Sequence, residues 1–183
     1  FLPHEGRLKR ATDDPEPKRV FVKKPEFKDS MIRFDFKLGR ASEIRLMTGA
    51  QGGYNTVVHI RPDQFFIQTA VDRSVPFFPS YQGFCQLSLE PDSWYTMTVE
   101  FLEDQAIASV QTDGSTDRFA FARHPIINRT RTYLAFQASG GGQFDNFELH
   151  DARQARSWGT ERQQELLQTQ SERIRIAEEK RRS

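Results

Sequence analysis

The sequence predicts an all-β chain, an antiparallel sandwich or jelly roll, followed by a charged helical tail. Three observations carry that expectation. Short segments over 1–150 alternate apolar and polar residues with period two. Gly, Pro, Asp and Asn separate them at close spacing, with no helical pattern between. Phenylalanine is abundant, 16 of 183 residues, and aromatic side chains suit pleated, half-buried surfaces. Composition then shifts near residue 151, from alternating segments to charges, Gln and sparse aliphatics. Two units are therefore expected: a sandwich over 1–150 and a tail over 151–183.

The clearest strand is "MIRFDFKL" (31–38). Ile32, Phe34, Phe36 and Leu38 share one face, and Arg33, Asp35 and Lys37 the other. "RVFV" precedes it, with "PEFKDS" as the connection. "EIRLMTGAQGGYNTVVHI" (43–60) reads as two strands around a glycine-rich bend. Ile44, Leu46, Val58 and Ile60 point inward in this reading; Arg45, Met47, Val57 and His59 point outward. "DQFFIQTA" follows Pro62. "WYTMTVEFL" puts Tyr95, Met97, Val99 and Phe101 on one face and Trp94, Thr96, Thr98 and Glu100 on the other. Glu103 and Asp104 turn it into "QAIASVQT", a hairpin. "TRTYLAFQA" sets Thr132, Leu134, Phe136 and Ala138 against Arg131, Tyr133, Ala135 and Gln137. "GQFDNFELH" closes the β region. The longest irregular stretch, 74–93, carries three prolines and three phenylalanines and reads as a loop.

The tail over 161–182 lacks Gly and Pro and is rich in helix formers. Leu166, Leu167, Ile174 and Ala177 form an incomplete apolar stripe, and Gln170 breaks the heptad between Leu167 and Ile174. Weak docking, or pairing with another chain through this helix, is the expectation.

Net charge is +1, so no broad basic field attracts nucleic acid or an anionic membrane. No apolar run approaches the roughly 20 residues of a membrane span, which predicts no membrane insertion. Cys85 is the single cysteine and reads as a small buried residue. The chain opens on Phe1, so it reads as a processed or excised product, with any signal peptide already missing.

Chemical motifs are sparse. No Glu-x-Asp-x-x-Glu run places paired carboxylates on one strand face. Glu100 and Glu103 straddle a strand end and a turn, and are expected to be solvated. There is no nucleophile elbow and no phosphate loop; "ASGGGQ" reads as a hairpin. The four histidines form no close metal-ligand pair. The candidate site is the outward face carrying Arg45, His59 and Arg61, whose donors suit sugar hydroxyls or a uronate carboxylate. The alternative is an ordinary polar sheet face held by cross-strand pairs. Tyr54 and Asn55, at the head of the His59 strand, join the candidate binding residues. Trp94 and Tyr133 are candidate stacking platforms or packing residues.

In order and spacing, "GRL", "PEFKDSMIRFDFKL", "ASEIRL", "GGYNTVVHI", "WYTMTVEF", "AIASVQTDG", "HPIINRTRTYLAFQ" and "FDNFEL" resemble the concanavalin-like sandwich of the 3-keto-disaccharide (3-keto-glucoside) hydrolase-like family. The resemblance covers most of 6–150 and implies a concanavalin-like jelly roll in an exported bacterial protein, secreted, periplasmic or at the cell surface. It implies a carbohydrate partner and polysaccharide or glycoside processing. The family pattern has an acidic residue after the tyrosine of its "GYEVQI"-like strand; Asn55 stands there here. No cofactor is expected. Asp145 is the candidate for a structural calcium ion, as in some related sandwiches.

Three functions follow as expectations. The first is carbohydrate binding around Arg45, His59 and Arg61. The second is 3-keto-glycoside hydrolysis, with His59 as the catalytic proton-transfer group and Asp35 or Asp72 orienting it. The third is a structural module assembling through the tail.

Overall fold

The computed structural model describes residues 18–22, 25–50, 53–69, 81–112, 115–138 and 140–151, with single positions at 164, 168 and 179. Its strands are β1 (Lys18–Phe21), β2 (Ser30–Lys37), β3 (Ile44–Ala50), β4 (Gly53–Ile60), β5 (Gln64–Thr69) and β6 (Tyr81–Gln86), then β7 (Tyr95–Leu102), β8 (Gln105–Thr112), β9 (Ser115–Arg123), β10 (Tyr133–Ala138) and β11 (Gln143–Asp151). A short 3₁₀ turn, Pro125–Ile127, lies between β9 and β10. The strands pair antiparallel in two sheets, a six-stranded one ordered β1-β10-β3-β4-β5-β6 and a five-stranded one ordered β11-β2-β7-β8-β9.

Alternation decides which faces meet. Ile32, Phe34 and Phe36 from β2, Met97 and Val99 from β7, and Ile44, Leu46, Val58, Ile60, Phe65 and Ile67 from β3, β4 and β5 are all buried in one core. Phe34 meets Phe136 of the other sheet edge-on, with ring centroids 5.0 Å apart, and Phe136 meets Phe144 at 4.7 Å. These contacts join the two sheets through aromatic packing. The expected β7–β8 hairpin is a two-residue turn, with Leu102 opposite Gln105. Glu103 takes a left-handed φ of 52°, as such a turn requires. Cys85 is buried in the core.

The layers also close along one side. An added Cβ at Gly83 of β6 would lie 2.4 Å from the backbone oxygen of Phe121 in β9. Only a glycine lets these two edge strands approach so closely.

Four expectations are corrected. The 74–93 stretch contains a strand, β6, paired with β5 from Gln64↔Gln86 onward. Arg131, expected to share the outward face with Tyr133, is fully buried. It sits before β10 in a bridge with Phe27, and its guanidinium turns inward. Its Nη atoms donate to the carbonyls of Ile127 (2.5 Å) and Lys28 (2.9 Å), and its charge lies 4.0 Å from the Phe101 ring centroid. Burial pushes the Arg131 guanidinium down to about 10, with Asp29 acting the other way. Glu100 is buried on the outer face of the five-stranded sheet, beside Ile107 in register, whereas Glu103 is exposed as expected. Thr132 lies outside β10, which begins at Tyr133.

The expected tail helix, with its Leu166, Leu167 and Ile174 stripe, lies outside the described residues. Only Gln164, Gln168 and Glu179 are described there, each with α-helical backbone, and no continuous helix is described. Among the described residues no helix is long and apolar enough to cross a membrane.

Candidate functional site

The outer face of the six-stranded sheet carries the candidate site. Alternation through β3 and β4 sends Ile44 and Ile60 inward, paired across the strands, and Arg45 and His59 outward, also paired. Glu43, two residues before Arg45, falls on that same face. Arg61 leaves the end of β4 and is fixed by its backbone N–H donating to Gln64 O at 2.8 Å. On β5, Phe66 lies opposite His59, and Gln68 follows two residues on.

Glu43 organises the cluster. Its carboxylate accepts from Arg45 Nε, from Arg61 Nε at 2.8 Å, and faces His59 Nδ1 at 3.1 Å. The other ring nitrogen, His59 Nε2, lies 2.7 Å from Gln68 Oε1. A doubly protonated ring donates to both partners as placed. A neutral ring serves both when the Gln68 amide turns to offer its NH₂. The His59 ring stacks on Phe66, with centroids 4.5 Å apart and planes 10° from parallel, and the Arg61 guanidinium lies 5.1 Å from the same Phe66 ring.

Burial of Glu43 opposes its ionisation. Hydrogen bonds from His59 and Arg61, the attraction of His59 and the hydrogen bond from Arg45 outweigh it, and hold the carboxyl at about 2. Such a carboxylate is a weak base at neutral pH. Its three donors leave it as a positioning group for the cations around it. The groups open to solvent are the two arginines, 40% and 42% exposed, whereas the His59 side chain is 9% exposed. The cluster therefore presents hydrogen-bond donors and positive charge.

The structure brings Arg45, His59 and Arg61 together and places the other candidates elsewhere. Tyr54 is 46% exposed on the same outer face, opposite Gly49, with Tyr133 on Gly49's other side. That row lies roughly 13 Å along the strands from Arg45. Tyr133 packs edge-on against Phe21 at 5.7 Å. Asn55 is buried and donates to Ile126 O at 3.3 Å, so it ties β4 to the 3₁₀ turn. Trp94 precedes β7, on the five-stranded sheet, with Lys37 Nζ 5.9 Å from its ring centroid. Asp35 lies on that sheet too, accepting from Thr96 Oγ1 at 2.7 Å and Asn146 Nδ2 at 2.6 Å, remote in topology from His59. Asp72 lies outside the described residues. Asp145 accepts from the Asn146 backbone N–H at 2.9 Å, and among the described residues no three His, Cys, Asp or Glu side chains are grouped to hold a metal.

Sequence reasoning missed Glu43 as the partner of His59. The available signal was its two-residue offset from Arg45, combined with the pairing of Ile44 with Ile60.

The fold is an antiparallel two-sheet β-sandwich, galectin-like in architecture, with the Glu43 cluster on the outer face of one sheet. Among solved structures, the chain is similar to chicken galectin 2 at 14% identity and a TM-score of 0.51, covering 73% of this chain and 100% of that one. It is similar to congerin II bound to lactose and MES at 10% identity and a TM-score of 0.54, with the same coverage. It also resembles toad ovary galectin in complex with thio-digalactose, at 10% identity and a TM-score of 0.52, covering 72% of this chain and 98% of that one. At this level of identity the likeness is one of fold. No protein-family model matches the chain, and no curated protein matches it.

Proposed function

We propose that the chain is a carbohydrate-binding β-sandwich whose site is the outer face of the six-stranded sheet around Arg45, His59 and Arg61. The observation that carries this reading is the Glu43-centred cluster, which fixes two exposed guanidinium groups and a histidine on one sheet face. Two of the solved structures of similar fold hold a galactoside, lactose in one and thio-digalactose in the other. Prepaid hydrogen bonds among Glu43, the arginines and His59 lower the ordering cost of binding. A secreted, periplasmic or cell-surface setting, and a part in polysaccharide or glycoside processing, go with this reading.

The test is a glycan array with the full chain, followed by titration calorimetry on each hit. Binding is expected to vanish in Arg45→Ala and His59→Ala while each variant still unfolds in a single cooperative melt. Binding that survives both substitutions places the site elsewhere.

A hydrolytic reading draws on one contact, the Glu43–His59 pair, which couples a carboxylate to an imidazole. It is opposed by the engagement of both His59 ring nitrogens and by the triply hydrogen-bonded carboxylate. Turnover of a 3-keto-glycoside by the wild type, lost in His59→Ala, would establish it. The assembly reading depends on the tail and takes no support from the strands.

A further inference from the structure

Building on the binding reading above, we propose that this face selects an acidic saccharide, one whose carboxylate or sulfate group is gripped by Arg45 and Arg61. Charge is distributed unevenly between the two sheets. The six strands of this sheet contain Lys18, Arg19 and Arg45 and no Asp or Glu at all. The strands of the other sheet mix both signs, with Asp35, Glu100, Asp117, Asp145, Glu148 and Asp151 beside Arg33, Lys37, Arg118 and Arg123. A chain with a net charge of only +1 thus keeps strand carboxylates off one sheet.

The register then lines up the cations. Arg19 pairs with Gln137, Gln137 with Arg45, and Arg45 with His59, so one row crosses four strands. Arg19 Nε leans on Gln137 Oε1 at 3.4 Å, and Arg61 flanks the row beyond His59. Arg19 and Arg45 are two strands apart, roughly 10 Å.

The hydrogen bonding fixes what the arginines can still do. Arg45 and Arg61 each spend Nε on Glu43, which orients both planes around one carboxylate. Each guanidinium has five N–H donors and no acceptor, so the Nη groups remain as paired donors. Among the described residues those Nη groups have no hydrogen-bond partner. Glu43, the acceptor of the cluster, is already engaged by three donors. A neutral sugar offers hydroxyls that both donate and accept, and finds few free acceptors here. A carboxylate or sulfate only accepts, and matches the paired Nη geometry bidentately.

The test is calorimetry of the full chain with a uronate oligosaccharide and with the same oligosaccharide carboxyl-reduced, and with a sulfated galactan oligosaccharide and its desulfated form. Expected is binding of at least one acidic member roughly ten-fold tighter than its neutral counterpart, the scale of one charge-assisted hydrogen bond. That advantage should shrink as salt rises. It should be lost in Arg45→Gln/Arg61→Gln and partly kept in Arg45→Lys, with each variant still folded by a single cooperative melt. Equal affinity for acidic and neutral members overturns the inference and leaves the carbohydrate reading intact. No binding of any saccharide overturns both. Inorganic sulfate that binds as tightly as the best acidic saccharide reduces the face to a plain anion site, which also overturns it.

Discussion

The Glu43 carboxylate lies 3.1 Å from His59 Nδ1, although sixteen residues separate the two in sequence. The antiparallel pairing of β3 with β4 creates that contact, by bringing residues just outside one strand beside the outward residues of the next. The same carboxylate holds both arginines, so one acid controls the geometry of three basic side chains.

Glu43 should make stability acid-sensitive. Its carboxyl ionises at about 2 in the folded chain against an ordinary value of 4.5. The contribution is therefore fully present above about pH 4.5 and is lost as pH falls towards about 2. Thermal melts of wild type and Glu43→Gln across pH 2 to 7 check this. The variant is expected to melt lower at pH 7, and the gap to close in acid. A constant gap at every pH would remove the carboxylate from this role.

Arg131 should be intolerant of replacement. Arg131→Met keeps an apolar stem but strands the Ile127 and Lys28 carbonyls, and gives up the charge over Phe101. A loss of about 2–4 kcal/mol is expected by denaturant unfolding, from one buried and one part-buried acceptor left unpaired. Arg131→Lys restores charge without the planar fork and should recover only part of it.

Phe34 is fully buried and touches Phe36, Phe136 and Phe144. Phe34→Ala is expected to cost about 3–5 kcal/mol, with Phe34→Leu costing less, because the first leaves a cavity between the sheets. Equal losses would mean that the site collapses around the smaller side chain.

Gly83→Ala should destabilise without touching the polar cluster. The new methyl would sit 2.4 Å from the Phe121 backbone oxygen, and backbone cannot swing aside as a side chain can. About 1–3 kcal/mol is expected by urea unfolding. Gln86→Ala, exposed on the same strand, should stay within about 0.5 kcal/mol of wild type.

The strands that read clearly from sequence are those whose large apolar residues face the core. β2 sends Ile32, Phe34 and Phe36 inward, and period two exposes it at once. β9 inverts that signal: Ala120 and Ala122 face the core, while Phe119 and Phe121 group with Ile107 on the other side. β6 is masked by prolines before it and by Gly83, which has no side chain to alternate. Arg45, His59 and Arg61 were legible because each lies on a strand, or at the end of one, with obvious alternation. Glu43 was hidden because its partners depend on register between strands, which spacing along one strand does not specify. Arg131 was misread because an arginine on an alternating segment looks like surface, and its role arises only from carbonyls distant in sequence.

The Gly83–Phe121 approach also bears on how copies of this chain can meet. β6 and β9 are the outer strands of their sheets on the same side, and they lie against each other there. Where Gly83 meets Phe121 neither backbone edge has room for a foreign strand, which disfavours β-augmentation at that point. Among the described strands, β1 and β11 are the outer strands of the other side, and β11 is interrupted by a bulge between Asp145 and Glu148. Among the described strands β1 is therefore the unbulged outer edge, and a second copy adding its own strand there would carry Arg19 into the seam.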